Sequence, residues 1–340
     1  MLEISVFPIA SDRHFKQVIL PEILDLLFMS RLMIGTTGSP EMLSGDFTNR
    51  ISLIRRVEES EIDHLFIADH ISFHTGLGMD GIVNAATLAA MSPKTTIFIG
   101  VYLLALRHPV PVARQLSSIS QSAPGRIILG IGVGGEDRHE MEICGVDPAR
   151  RGKQTNHCMK ALDDLMSGEP VSYECEFFRY EDALIKPAPA PRIPMIVGGR
   201  SDAAIRRTAL LGDGWLGVWC SPERYKNVLT EIDKIAEARS SKPQWQHGLQ
   251  IWTGFGDNNR TARSHLAGQM ENMYRMPFER FEKYSPFGSP EAVAEFLASY
   301  IEQGCRWLNV KPCAASEEAG LDAISEVSTI LKKEFPELVN

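Results

Sequence analysis

The stretch from Thr95 to Glu136 limits what this chain can fold into more tightly than any other. Its first part, Thr96 to Leu104, is β-branched and apolar nearly throughout, the composition of a parallel strand buried on both faces. Arg107, His108 and Pro109 end that strand. Pro111 marks a first helical position, Val112, Leu116 and Ile119 follow at helical spacing, and Pro124 with Gly125 stops the helix. A second apolar run, Ile127 to Val133, leads straight into Gly134 and Gly135. Strand, helix and strand make one β-α-β unit, in which the crossover helix sets the two strands parallel.

The same unit recurs along the chain. Strand one is Leu32 to Thr36, and strand two is His64 to Ala68, ending in Asp69 and His70. The opening unit supplies strands three and four. Strand five is Pro194 to Val197, strand six Gly214 to Trp219, strand seven Gly248 to Gly254 and strand eight Arg306 to Lys311. Helical patterns lie between them. Thr48 caps the first, whose Ile51, Ile54, Val57 and Ile62 share a face; others cover Gly81 to Met91, Arg150 to Met166 and Ser201 to Leu211. Ser221-Pro222 and Ser289-Pro290 each read as a cap followed by a first helical residue, and Leu321, Ile324, Val327 and Leu331 mark the last helix. Eight strands alternating with helices, with no linker between them, predict a closed TIM (β/α)8 barrel whose sites lie at the C-terminal strand ends. An open doubly wound sheet would require a glycine fingerprint after strand one, which Gly35 to Ser39 does not supply.

Two segments break the rhythm. Residues 169–192, after helix four, alternate as strands do and then turn proline-rich. Residues 255–288, after strand seven, carry Met273, Tyr274, Met276, Phe278, Phe281 and Tyr284, and serve either as a lid or substrate wall or as packing. Residues 31–340 read as one barrel domain and residues 1–30 as an N-terminal extension. The apolar run Val18 to Met29 is broken by Pro21, Glu22 and Asp25 and has no small-residue cleavage site, which disfavours a targeting peptide. A translation start nearer Met29 or Met33 is the other reading.

Composition excludes several classes. A net charge of −8 disfavours nucleic acid or an anionic membrane surface as partner, and no apolar run reaches the length of about 20 residues that spans a bilayer. Cys144, Cys158, Cys175, Cys220, Cys305 and Cys313 contain no Cys-x-x-Cys pair, so they form neither a disulfide framework nor a zinc site; they fit a reducing cytoplasm.

Four strand ends carry residues with chemistry. Strand five runs into Gly198, Gly199, Arg200 and Ser201 and then a helix, a pattern that binds phosphate through free N–H groups and the positive end of the helix dipole. Strand four ends in GIGVGG, where Gly130 and Gly132 either leave room for a flat ligand or face crowded barrel layers. His70, at the mouth, suits general acid–base work, whereas His108, before a proline in a turn, reads as structural. Glu136, Asp137, His139 and Glu140 read as a solvated loop at the same rim; they have no recognised metal-ligand spacing, so no metal is expected.

These motifs, in order, resemble the bacterial luciferase-like flavin monooxygenase family. The residues carrying the resemblance are DH after strand two, RHPVPVARQLSSI, GRIILGIGVGGE, RRGKQ, GEPVSYECEFFRYEDALIKP, PMIVGGRSDAAIRRTALLGDGW, SPERY and GSPEAVAEFLASYIEQGCRWLNV. The resemblance implies a flavin phosphate on Gly198, Gly199, Arg200 and Ser201, with Val133 and Gly134 along the flavin tail. It puts a bulge, often with a non-proline cis peptide, near Gly100 and Val101 under the ring. It sets Asp69 against the cofactor and His70, the catalytic residue, beside the reactive face. Valine at position 133 stands where the luciferases place a basic residue. One branch of the family uses reduced FMN, delivered by a partner flavin reductase, to activate dioxygen and oxygenate a small organic substrate; another passes hydride with the deazaflavin coenzyme F-420; others bind flavin without catalysis. The expectation is a cytoplasmic FMN monooxygenase, with an F-420-dependent hydride transferase as the first alternative and a non-catalytic flavin-binding protein as the second. Family habit favours a homodimer.

Overall fold

Eight parallel strands follow one another around a closed ring in the computed structural model, which describes residues 31–339 apart from Thr75 and Glu136. They are β1 (Met33–Thr37), β2 (His64–Ile67), β3 (Thr96–Leu103), β4 (Ile127–Gly132), β5 (Met195–Gly198), β6 (Gly214–Val218), β7 (Gly248–Phe255) and β8 (Trp307–Cys313). Each pairs with the next, and the β8–β1 ladder closes the ring. Eight outer helices alternate with them: α1 (Phe47–Glu58), α2 (Gly81–Met91), α3 (Pro109–Ser122), α4 (Arg151–Leu165), α5 (Asp202–Leu211), α6 (Pro222–Ala236), α7 (Pro290–Ile301) and α8 (Glu317–Glu334). This is the closed (β/α)8 barrel expected from the sequence. The extension at residues 1–30 lies outside the described residues.

Alternation along the strands builds two cores. Met33, Phe66, Phe98, Ile128, Ile196, Leu216 and Trp307 fill the barrel interior. The opposite faces, among them Ile34, Leu65, Ile97, Leu129 and Val197, pack against the helices. Each such aliphatic side chain stabilises the fold by about 1.5–3 kcal/mol. One polar pair crosses the interior: His64 Nε2 lies 2.7 Å from Asn309 Oδ1. Gly35 makes room for it, because a Cβ there would come within 2.2 Å of the imidazole. Burial pushes the His64 imidazole down to about 4, so it stays neutral in the folded protein.

Two helix starts differ from the sequence expectation. Asp46, not Thr48, caps α1: its carboxylate accepts the Asn49 N–H at 2.9 Å, which leaves Thr48 inside the first turn. Helix α3 begins at Pro109, two residues before Pro111, because the His108 imidazole accepts the Val110 N–H at 3.3 Å and acts as the cap. His108 is structural, as expected.

The two insertions fall where the rhythm breaks. After α4, strands Val171–Glu174 and Arg179–Ala183 form an antiparallel hairpin, with Phe178 and Tyr180 stacked on Tyr173. After β7, a helix (Asn259–Tyr274), two 3-10 turns and a short strand (Phe287–Gly288) make up the longer one.

Candidate active site

Strand β2 ends at the barrel mouth in two acidic or basic side chains with separate duties. The Asp69 side chain has no exposure. Its Oδ1 accepts from Gly81 N (2.9 Å) and Arg107 Nη2 (2.8 Å), and its Oδ2 from Leu103 N (2.9 Å) and Arg107 Nη1 (2.6 Å). Burial raises the carboxyl above its ordinary pKa, while the guanidinium and the two amides oppose that rise. Four donors fill its acceptor sites, so the carboxylate offers a ligand nothing. Expected against the cofactor, Asp69 is instead the clamp joining the end of β2 to the end of β3 and the start of α2.

His70 projects from the residue this clamp fixes. Its Nδ1 lies 3.1 Å from Glu140 Oε2, and Glu140 Oε1 accepts the N–H groups of Ile71 (2.6 Å) and Ser72 (3.1 Å). Glu140 is 1% exposed. The two backbone donors occupy Oε1, which leaves Oε2 facing His70 Nδ1. The solvated-loop reading of this segment is therefore overturned. Glu140 is buried, and Asp137 accepts from His74 N (2.7 Å) and His139 N (3.0 Å), capping the short helix Arg138–Ile143. His139 is exposed, and Glu136 lies outside the described residues.

Strand β3 is irregular where the ring of a bound flavin was expected. The ladder to β4 shifts between Ile99 and Tyr102, and the Gly100–Val101 peptide is cis. Val101 then lies across three glycines. A Cβ would meet a Val101 side-chain atom at 2.4 Å from Gly132, 2.9 Å from Gly198 and 3.2 Å from Gly130. Gly130 would also strike the Ile99 carbonyl at 2.3 Å. Between the two readings of GIGVGG, crowding is the one the structure bears out. Val133 and Gly134 follow at the rim, half-buried, and the Gly134 carbonyl accepts from Arg151 Nε at 3.3 Å.

Gly198, Gly199, Arg200 and Ser201 lie at the end of β5. Ser201 caps α5 through the Ala204 N–H (3.2 Å), and Ser221 caps α6 through Arg224 N (3.2 Å). Arg200, just ahead of α5, and Ser221 and Arg224, at the start of α6, line an open cleft together with Trp219 and Tyr284. The Arg200 guanidinium sits 5.2 Å from the Trp219 ring centroid, and Trp219 Nε1 is buried without an acceptor. Neither arginine has a carboxylate partner among the described residues. Cations and N–H donors without acceptors fit a phosphate.

The 255–288 insertion stands over the mouth. On β7, Gln250, Trp252 and Gly254 share one face, the face turned to the axis lower down. A Cβ on Gly254 would strike the Ala262 carbonyl at 2.3 Å, and Trp252 packs with Leu266, Met270, Phe278 and Phe281. Trp219, Trp252, Tyr274 and Phe281 meet at ring separations of 4.9–5.7 Å. The segment is thus packed, fixed to the axis-facing side of β7 through Trp252.

Sequence reasoning missed Arg107 and Glu140. RHP was available as a motif, but nothing local announces that its arginine reaches Asp69. Among the described residues no group of three or more acidic, histidine or cysteine side chains can hold a metal, no helix is long and apolar enough to cross a membrane, and all six cysteines are free.

The luciferase-like monooxygenase family model matches residues 27–306, so the chain belongs to that family. An uncharacterized protein of Mycobacterium tuberculosis is 29% identical over 229 residues, covering 62% of this chain and 79% of that one. An F-420-dependent glucose-6-phosphate dehydrogenase of Beutenbergia cavernae is 27% identical over 302 residues, covering 79% of this chain and 88% of that one. A pyrimidine monooxygenase of Allorhizobium ampelinum is 29% identical over 158 residues, covering 45% and 43%. Among solved structures, an F-420-dependent secondary alcohol dehydrogenase superposes with a TM-score of 0.77 at 18% identity, covering 88% of this chain and 99% of that one, a likeness of fold.

Proposed function

We propose that this family member is a coenzyme F-420-dependent oxidoreductase that oxidises an alcohol to a carbonyl. The observation carrying the reading is the His70–Glu140 pair. Alcohol oxidation removes a hydride from carbon and a proton from oxygen, and the proton needs a base fixed at the mouth. Glu140 holds the His70 Nδ1–H, which leaves Nε2 to accept that proton. The deazaflavin, when bound, supplies the hydride acceptor. Gly198, Gly199, Arg200 and Ser201 would hold its phosphate, and Val101 would support its ring. The clamp of Asp69 and Arg107 keeps His70 at its post, and the aromatic wall excludes water from the reacting carbon.

The sequence motifs occur in both branches of the family and do not decide between them, whereas the span of the sequence relatives favours hydride transfer. The dehydrogenase of Beutenbergia cavernae matches across 79% of the chain, and the pyrimidine monooxygenase across 45%. That second match keeps the monooxygenase as the alternative, since the cleft at β5 suits the phosphate of either cofactor. Anaerobic titration of the purified protein with reduced FMN and reduced F-420 in parallel separates them. Tighter binding of the deazaflavin is expected. Binding of FMN alone, with oxygen consumed on admission of air, would make the protein a monooxygenase, and binding of neither would remove both assignments.

A further inference from the structure

Strands β1, β7 and β8 bring three side chains together at the mouth that neither the proton relay nor the phosphate cleft uses. Asn309 faces the barrel axis, because its amide meets His64 across the interior. Lys311, two residues on, therefore faces the axis as well, higher up. Its lateral neighbour on β7 is Trp252, and its ammonium lies 4.8 Å from that ring's centroid. On the other side the Thr36–Val310 pair puts Thr37 next to Lys311. Position 35 points at His64, so Thr37 points inward too, and its Oγ1 is buried without a hydrogen-bond partner. Lys311 has no ion-pair partner among the described residues. Glu317, the acid it acts on through space, is engaged with Ser39.

We propose that Lys311 and Thr37, backed by Trp252, bind an oxyanion carried by the substrate, so that this protein acts on small hydroxy acids or hydroxyalkyl phosphates. A cation over an aromatic face with an unused hydroxyl beside it presents converging donors, which a carboxylate or phosphate oxygen satisfies and an alkyl group leaves stranded. His70 lies just beyond the end of β2, and β2, β1 and β8 are neighbours in the ring, so the base and the cation open on the same side of the mouth and one small substrate carries both the reacting hydroxyl and the oxyanion.

The catalytic arm of the test rests on the oxidoreductase reading above. Rates are compared for matched pairs, lactate against isopropanol and glycerol phosphate against glycerol, with the F-420-loaded enzyme. A charge-assisted contact predicts a kcat/KM preference of about 10- to 100-fold for the charged member, with the better pair distinguishing carboxylate from phosphate. Lys311→Met should collapse the ratio towards one, chiefly through KM, and Lys311→Arg should restore most of it. Equal rates within both pairs, or a ratio that survives Lys311→Met, would overturn the subsite. A second arm uses no turnover: inorganic phosphate is titrated calorimetrically into Arg200→Ala, whose tail cleft is weakened, and into Arg200→Ala combined with Lys311→Met. Heat that vanishes with the second substitution supports the subsite even if no alcohol is oxidised, in which case the oxidoreductase reading alone fails. Heat that is absent from the first variant or unchanged in the second overturns the subsite whatever the cofactor.

Discussion

Replacing Glu140 by glutamine tests the proton relay with almost no change of shape. Glu140 Oε1 serves two backbone donors, Ile71 N and Ser72 N, and Oε2 faces His70 Nδ1. A glutamine has one oxygen and one NH2 group for those three partners. Turning the NH2 towards the amides would leave two N–H groups unsatisfied, at about 1–3 kcal/mol each, so the oxygen stays with them. The NH2 then faces Nδ1, which can only accept, and the ring proton moves to Nε2. The imidazole keeps its place but loses the lone pair that takes the substrate proton. Loss of a positioned general base costs about 100- to 10,000-fold in rate, equivalent to about 3–5 kcal/mol of barrier. Steady-state kinetics of Glu140→Gln should show that fall in kcat, with cofactor affinity, measured by fluorescence, unchanged within about twofold. A kcat within tenfold of the parent would refute the relay, and with it the assignment of His70 as base.

Three further outcomes follow from contacts elsewhere in the barrel. Asp69→Ala strands the Arg107 guanidinium and two buried amides, so urea unfolding should show a loss of about 3–5 kcal/mol; a loss under 1 would mean the clamp is not structural. His64 is neutral when folded, with its pKa lowered to about 4, whereas the unfolded chain takes up a proton below about 6.5. The unfolded state thus binds more protons in that window, and stability falls as pH drops from about 6.5 towards 4, by about 3 kcal/mol from this group. The fall should be shallower in His64→Gln, and equal slopes in the two proteins would refute the account. Gly132→Ala puts a Cβ 2.4 Å from Val101, so a loss of about 1–3 kcal/mol in stability should accompany weaker cofactor binding, and calorimetry finding neither would remove Val101 from the ring platform.

The barrel was legible because its signals are local and repeated. Each strand is a short apolar run, every outer helix except α4 has a side-chain cap or a proline at its start, and the eight occur in alternation. Errors arose where two local signals competed, as with Asp46 against Thr48 and Pro109 against Pro111, and the earlier candidate won through its side-chain cap. The site was legible only in part. His70 and the Gly198–Ser201 loop stand at strand ends, which topology alone brings to the mouth. Glu140 was hidden for the opposite reason. It lies in a run of charged residues that looks solvated, and only the fold brings it against His70, Ile71 and Ser72, about 70 residues earlier in sequence. Asp69 was misassigned because its partner, Arg107, belongs to the next unit of the chain.

Strands β7 and β8 run for 8 and 7 residues, against 4 in β2 and β5. They stay paired to Gly254 and Cys313, and the 255–288 segment is held against that upper end by its own aromatic side chains. His70 and Glu140 are carried by other elements, the chain after β2 and the short helix after β4. What enters the mouth and what reacts there are therefore carried by separate parts of the rim. Such a layout is an exchangeable fitting on a fixed instrument: a 255–288 segment of another shape would alter the entrance and leave His70, Glu140 and the cleft beside β5 where they are.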